Sequence, residues 1–475
     1  MSPPPPLSPK RASGPGATTP CCRSVKCRRL LSPREEARPW ASLPEDLVQL
    51  IGWRVLAADL LDYVRLRAVC AHWNRSAIRP RGHGLVDPRF HPRRWMLLPE
   101  GHGLYPGHPH LGGYVRFFNL STGAFVRCHL PLFHDHIILD SIDGLLLLLL
   151  HRDHGTGIRL LHPFTGDIAE LPTLMSLLPQ IEFQPRYLNM SEDQKLCRLR
   201  IFLRGVSAAV TISDARTITV MVVLPTESRL ALATAGDERW TLSAWKLPML
   251  LAPAVFFQGK MYTVSRRLSE KNVVFIHQID PPQLNFEDPQ SLSLHPPTMI
   301  AKCLLVGTMG TLIHLVECGL ELMLVGRLSD ASGPHLVVYR IADLVCGRIA
   351  PVKDIGDHAL FLGNRSVSVL ANKGFPSVLG NSITCRHISM IQKPPVGSRR
   401  RKRVEQYHLH TGTWSPAIEE DILPCQDSLA SPYSLVHHIY TCSYRNYWNM
   451  GLIFSGAIAP DWSVKPNLWT RVISM

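Results

Sequence analysis

The stretch from Trp40 to Ala77, WASLPEDLVQLIGWRVLAADLLDYVRLRAVCAHWNRSA, restricts what this chain can fold into more than any other segment. Ser42 and Glu45 have the spacing of a capping box and Pro44 suits a first helical turn, so a helix is predicted to start here. Leu43, Leu47, Ile51 and Val55 recur every four residues and share one stripe, while Glu45, Asp46, Gln49 and Arg54 face elsewhere. Asp59 is placed to cap a second helix carrying Leu60, Leu61 and Val64, and a third follows with Val69 and Trp73 one turn apart. Units below about 40 residues rarely fold alone, so these three helices must lean on a partner or on a neighbouring domain.

The pattern changes downstream. Residues 79–94 are too rich in Pro, Gly and Arg to continue a helix and are predicted to be a linker. From Trp95 the chain reads as short strands punctuated by turns. Asn119-Leu120-Ser121-Thr122-Gly123 and His162-Pro163-Phe164-Thr165-Gly166 end in the same Thr-Gly 43 residues apart, and each leads to a Leu-Pro, at Leu130-Pro131 and Leu171-Pro172. That period is one four-stranded propeller blade. The six leucines of 145–150, bounded by Asp143-Gly144 and Asp153-His154-Gly155, read as an inner strand apolar on both faces, with a buried helix as the alternative.

The helical stretch resembles the F-box, through Leu43-Pro44, then Leu47, Ile51 and Val55, then Asp59-Leu60-Leu61, and finally Val69-Cys70 and Trp73. The resemblance implies docking on a Skp-type adaptor, and through it a cullin, by Leu43, Pro44, Leu47, Ile51, Val55, Leu60, Leu61, Val69, Cys70 and Trp73. Gly52 stands where that family usually has an apolar residue and Trp53 where a polar one is common. A Gly52→Leu change is therefore expected to leave the helix unchanged or tighter.

The remainder resembles the F-box-associated, kelch-like propeller of a large plant F-box family. The residues that carry this are Trp95-Met96-Leu97-Leu98-Pro99, Asp143-Gly144, His162 to Gly166, Trp240-Thr241, Gln258-Gly259-Lys260, Leu315-Val316-Glu317 with Gly319, and Ala359 to Gly363. His162 departs from the family's usual Asn, and Gln392 to Arg403 inserts a basic run. The implied fold class is α+β multidomain: a small three-helix F-box followed by a mainly antiparallel all-β propeller of about six to eight blades. The expected domains are a disordered tail at 1–39, the F-box at 40–78, the linker at 79–94 and the propeller at 95–470, with a basic insertion at 391–403.

Charge and cysteine usage narrow the function. The net charge of +14 is concentrated, because residues 1–39 and 391–403 each carry a net six and the body is nearly neutral. A nucleic-acid partner is therefore not expected. Arg399, Arg400, Arg401, Lys402 and Arg403 are read as a solvated, mobile loop with nuclear import as the functional alternative. The 12 cysteines form no zinc-ligand pattern and suggest a reducing compartment, nucleus and/or cytoplasm. No apolar run is long enough to span a bilayer, so no membrane partner is expected.

His91, His102, His108 and His110 lack zinc spacing, and the sets His134, Asp135, His136 and His151, Asp153, His154 read as exposed hairpin ends. With no nucleophile elbow, Walker loop or His-Glu-x-x-His, neither enzyme activity nor a cofactor or metal is expected.

The function implied is the substrate-recognition subunit of an SCF-type (Skp-cullin-F-box) ubiquitin ligase, with an unknown protein target. The alternatives are a nuclear scaffold associated with nucleic acid, and a propeller enzyme or lectin. Within the propeller, the turns Asp143-Gly144, Gln258-Gly259 and Cys318-Gly319 are expected at one end, Phe164-Thr165-Gly166 at the other, and the target at the end distant from the helices.

Overall fold

The computed structural model describes residues 39–98, 111–150, 155–182, 189–203, 205–267, 269–270, 272–284, 292–304, 313–330, 333–371, 375–387, 403–417 and 435–443. Most of the expected tail, His102, His108, His110, His151, Asp153, His154 and Arg399 to Lys402 lie outside these residues. Arg403 does not sit in a loop; it opens a strand and pairs with His387.

A 3-10 turn at Pro39–Ser42 leads into α1 (Glu45–Ala58), α2 (Leu60–Arg67) and α3 (Ala71–Ser76). The predicted capping box does not form, because Ser42 belongs to the preceding turn and Pro44 takes the N-cap position without a side-chain bond. Asp59 does cap α2, its Oδ1 accepting from the Leu61 N–H at 2.8 Å. The α3 cap is Cys70, whose Sγ accepts from the Trp73 N–H at 3.4 Å.

The strands build a six-blade propeller. Blade 1 is β1 (Trp95–Leu98), β2 (Tyr114–Asn119) and β3 (Phe125–His129). Blade 2 is β4 (His136–Ile142), β5 (Leu145–Leu150), β6 (Ile158–Leu161) and β7 (Ile168–Leu171). Helix α4 (Glu192–Leu203) precedes blade 3, made of β8 (Ser207–Ile212), β9 (Ile218–Leu224), β10 (Arg229–Thr234) and β11 (Thr241–Leu242). Blade 4 takes β12 (Val255–Phe257), β13 (Lys260–Ser265) and β14 (Val273–Ile279), passes through a hairpin of β15 (Gln283–Leu284) and β16 (Leu292–Ser293), and ends with β17 (Thr298–Leu304).

Blade 5 is β18 (Ile313–Cys318), β19 (Glu321–Asp330) and β20 (Gly333–Arg340), followed by α5 (Ile341–Val345). Blade 6 is β21 (His358–Phe361), β22 (Val367–Leu370), β23 (Ser382–His387), β24 (Arg403–His408) and β25 (Thr413–Pro416). Among the described strands every pair is antiparallel except β21 with β23.

The six leucines form β5, and their alternation shows why both faces are apolar. Leu145, Leu147 and Leu149 join the core shared with blade 3, while Leu146 and Leu148 join the core shared with blade 1. The 43-residue period marks equivalent turns between the third and fourth strand positions of blades 1 and 2, where Gly123 (φ 72°) and Gly166 (φ 74°) take the left-handed conformation.

Closure depends on the chain's last described helix, α6 (Leu435–Ser443). Blade 1 has three described strands, and α6 lies against β1 and β21. Asp140 works at the same junction. A bulge at Leu139 sets its buried carboxylate so that Oδ2 accepts from the Ala208 N–H of blade 3 at 2.8 Å and Oδ1 from Arg365 Nη1 of blade 6 at 3.2 Å. One charge thus ties three blades.

Each strand crosses the blade once, so turns two strands apart return to the same end. Phe164-Thr165-Gly166 therefore shares the end of Asp143-Gly144, contrary to the expectation from sequence. This end carries the helices. Arg93 pairs with Asp143 at 3.6 Å, and a Cβ on Gly144 would collide with the Pro92 carbonyl. Gln258 Nε2 donates to the Leu320 carbonyl at 3.4 Å, so the first turns of blades 4 and 5 adjoin there as expected.

Residues 79–94 are packed, not merely connecting. The Gly82 and Gly84 N–H groups donate to the Asp167 carboxylate at 2.9 Å, and Phe90 is fully buried. His91 is buried as well and bonds the Leu85 carbonyl, so it is not a loop ligand. His162 occupies the position that Asn119 has in blade 1. Asn119 Oδ1 accepts from the Ser121 and Thr122 N–H groups, and His162 Nδ1 accepts from those of Phe164 and Thr165. The imidazole therefore replaces the usual Asn without opening the turn, and its Nε2–H donates to the Phe90 carbonyl at 3.0 Å.

Nδ1 can accept only while unprotonated, and burial pushes the His162 pKa down to about 4 from 6.5. The unfolded chain then binds a proton that the folded chain refuses, so stability is whole above pH 6.5 and falls as the pH drops toward 4. We expect His162→Asn to keep the turn and to remove about 3 kcal/mol of this acid-dependent loss. The portion from His314 and His437, also depressed to about 4 by burial, should remain. Urea unfolding at the two pH limits checks this, and an unaltered difference would contradict it.

Candidate docking face of the helical unit

The stripe read from sequence is divided by the structure. The core of the helical unit is instead Val48, Gly52 and Leu56 of α1 with Leu60, Tyr63 and Leu66 of α2, closed by Ala77 and Phe90. Ile51, Val55 and Trp73 are half-buried against it. Leu60 is fully inside, and Leu61 packs against the blade 1 core, so neither of these two candidate adaptor contacts reaches the outer face.

Several apolar side chains remain outside. Trp40 (66% exposed), Leu47 (42%) and Val69 (62%) face solvent together with Leu50 and Val64, and Pro44 is exposed while Leu43 and Cys70 are half-buried. The segment 40–43 is fastened to α3 by two bonds, Trp73 Nε1–H to the Trp40 carbonyl at 2.9 Å and His72 Nε2–H to the Leu43 carbonyl at 2.7 Å. The structure thus brings the Leu-Pro start beside the helix that carries Trp73, although 29 residues separate Leu43 from His72. Leu50 and Trp40 were not among the residues expected from spacing; an apolar residue off the four-residue stripe is the signal that points to Leu50.

Two residues that looked out of place have structural causes. Trp53 stacks on Tyr63 with ring centroids 6.3 Å apart and receives the Arg89 guanidinium 4.0 Å from its own. Arg89 is in turn held by Asp87 at 2.7 Å. Gly52 is buried where α1 meets α2, and a Cβ built there would lie 3.2 Å from the Tyr63 ring. The glycine permits the close approach of the helices, which argues against the benefit expected of leucine.

The unit is held to the propeller by the Asp59 carboxylate as well as by the packed linker. Its Oδ2 accepts from Trp95 Nε1 at 3.0 Å and from Asn119 Nδ2 at 2.6 Å, both in blade 1. Phe164 bridges the two cores, touching the helical core and lying 5.4 Å from the Trp95 ring and 5.2 Å from that of Phe117. Among the described residues no group of three or more His, Cys, Asp or Glu could hold a metal. His134 pairs with Asp135 at the surface, and His136 bonds the Leu132 carbonyl instead of joining them. Among the described residues no helix is long and apolar enough to cross a membrane.

Comparison with known families matches the KIB1-4 beta-propeller to residues 117–394, from β2 through β23. The chain belongs to that family. Its propeller is of the F-box-associated type found in plants. Comparison with curated proteins gave no match.

Gly52→Leu should destabilise the helical unit by about 1–3 kcal/mol through overpacking against Tyr63. Gly52→Ala should stay near neutral, since about 1 kcal/mol of helix propensity offsets the tight contact. Denaturant midpoints of the two variants check this; a leucine variant as stable as the parent would show that the helices can separate at no cost.

Proposed function

We propose that this chain is the substrate-recognition subunit of an SCF-type ubiquitin ligase, docking a Skp-type adaptor on its helical unit and a protein target on its propeller. The observation that carries this reading is the set of exposed apolar side chains on the helical unit, Trp40, Leu47, Leu50, Val64 and Val69. A unit this small needs external support, but Phe90, Phe164 and the packed linker already supply it from behind. The outer face is left exposed although folding makes no demand on it, which suits an interface with another protein. Membership in a propeller family of the F-box-associated type supports the same reading.

In this role the chain performs no chemistry. It raises the effective concentration of target lysines near a conjugating enzyme. The adaptor face and the helices occupy the end of the propeller that carries the Asp143-Gly144 and Phe164 turns, which leaves the opposite end and the blade flanks for the target. The free thiols suit a reducing compartment, in line with work in the nucleus and/or cytoplasm.

Leu47→Glu and Val69→Glu each place a charge on the face without touching the core. Adaptor co-purification should fall by about tenfold or more for each, since an unpaired charge buried at an interface costs at least the 1.4 kcal/mol that a factor of ten represents. Thermal unfolding should not move. Replacing Leu43-Pro44 by Ala-Ala should act likewise, and undiminished capture by all three would remove the adaptor role.

A further inference from the structure

Blade 4 reverses twice between its first three strands. Gln258-Gly259 joins β12 to β13 at the end that carries the helices, so the next reversal, from β13 to β14, lies at the opposite end, which the proposed function leaves to the target. That second turn holds the sequence Arg266-Arg267-Leu268-Ser269-Glu270. Ser269 is exposed, with one arginine two residues before it and another three before. Among the described residues no other serine or threonine follows a Lys or Arg at both of those spacings.

The turn is lightly held between firm strands. The Glu270 N–H donates to the Arg267 carbonyl and the Val273 N–H to the Glu270 carbonyl, each at 3.1 Å. None of the described residues from 266 to 272 is buried. The flanks are pinned, because Ser265 pairs with Phe275 and the Arg266 N–H donates to the Met249 carbonyl at 3.3 Å. Arg267 lies on the outside, its guanidinium 4.6 Å from the Phe275 ring centroid and 3.6 Å from the Glu270 carboxylate, beyond hydrogen-bond reach. An exposed pair at that distance contributes little, so Arg267 is ready to exchange it for a better anion.

We infer that Ser269 is a phosphorylation site for an arginine-directed serine kinase. In the transfer the Ser269 Oγ attacks the γ-phosphorus of ATP. The Oγ–P bond forms as the bond to the bridging oxygen breaks, ADP leaves, and the hydroxyl proton passes to the kinase's catalytic carboxylate. A kinase that reads charge ahead of its acceptor meets the guanidiniums with acidic groups of its own, and Arg266 and Arg267 supply both. Drawing the segment out into a kinase cleft breaks only the two turn bonds among the described residues. Once attached, the phosphate sets three acceptor oxygens beside the arginines and draws Arg267 from Glu270, since a guanidinium fork grips a phosphate through paired N–H groups. Residues 266–272 carry Arg266, Arg267 and Lys271 against Glu270, a net +2 that a phosphate charge of about −1.5 to −2 cancels. Modification thus turns a cationic loop neutral at the end left for the target. Its use as a switch rests on the reading of the chain as a target receptor; the modification itself does not.

The test incubates the full-length chain with ATP and the catalytic subunit of cyclic-AMP-dependent protein kinase. Phosphate is located by mass spectrometry on the peptide that contains Ser269, because Ser13 in the tail also follows Lys10 and Arg11. The folded chain should take phosphate at Ser269, and Arg266→Ala should slow that step about tenfold or more. Ser269→Ala should remove it and leave any phosphate on Ser13 in place. Thermal unfolding of both variants should match the parent, so that a lost signal reports recognition. No phosphate on the Ser269 peptide, an undiminished rate in Arg266→Ala, or modification only after the chain has been heat-denatured would each overturn the inference. Adaptor co-purification, measured on the same samples, should be equal before and after the reaction, and a fall that Ser269→Ala prevents would overturn the placement of the site at the far end. Absence of adaptor capture from every sample, with Ser269 phosphorylated, would sink the receptor reading and leave the modification standing.

Discussion

The Asp59 carboxylate is the interaction on which the relation between helices and propeller depends. One oxygen caps the start of α2, and the other accepts from Trp95 and Asn119 at the root of blade 1. Hydrogen bonds to a charged acceptor contribute about 1.5–3 kcal/mol each, more than neutral ones. The same atoms that decide where the second helix begins therefore also decide how the helical unit is oriented on the ring. The exposed apolar side chains of the helical unit therefore keep a set direction relative to the ring.

The mounting is repeated one blade on with different chemistry. Asn119 and His162 each use one atom to hold a turn and another to hold the N-terminal module, Asn119 through Asp59 and His162 through the Phe90 carbonyl. Imidazole can do this only in its neutral form, with Nε2 protonated. Asp167 then fastens the linker glycines at the other side of the same turn. A Cβ on Gly84 would meet Thr165 and Asp167, so the linker lies too close to blade 2 for a larger residue.

Much of this was legible in the sequence where the signal is local. The three helices, the Asp59 cap, the 43-residue blade period and the β5 leucines follow from spacing over a few residues or from simple repetition. What was not legible depends on pairs far apart in the chain. Nothing near Gly52 announces Tyr63, and nothing near Asp140 announces Arg365, 225 positions away. The packed linker was misread because Pro, Gly and Arg also mark loops; only Phe90 and His91 hinted at burial. The ends of the blades were misassigned by one strand, since turn residues show that the chain reverses but not how many reversals preceded. Of the candidate contacts read from spacing, Leu47 and Val69 are exposed, while Leu60 packs into the helical core and Leu61 against blade 1.

The placement of α6 has a consequence for how the molecule is made. Blade 1 leaves the ribosome first, already joined to its helices through Asp59, yet the helix that covers β1 is synthesised after all the other blades. Until then four buried residues of β1, Trp95 to Leu98, have no cover on that side. The nascent chain must carry an open apolar edge through most of its translation, and such edges are where growing chains associate with one another. Blades 2 to 5, whose described strands come from contiguous stretches of chain, can form as they emerge. The ring is therefore assembled in sequence but sealed in a single late step, and a ribosome that stalls before residue 435 would release a protein whose docking helices are complete and whose circle is not.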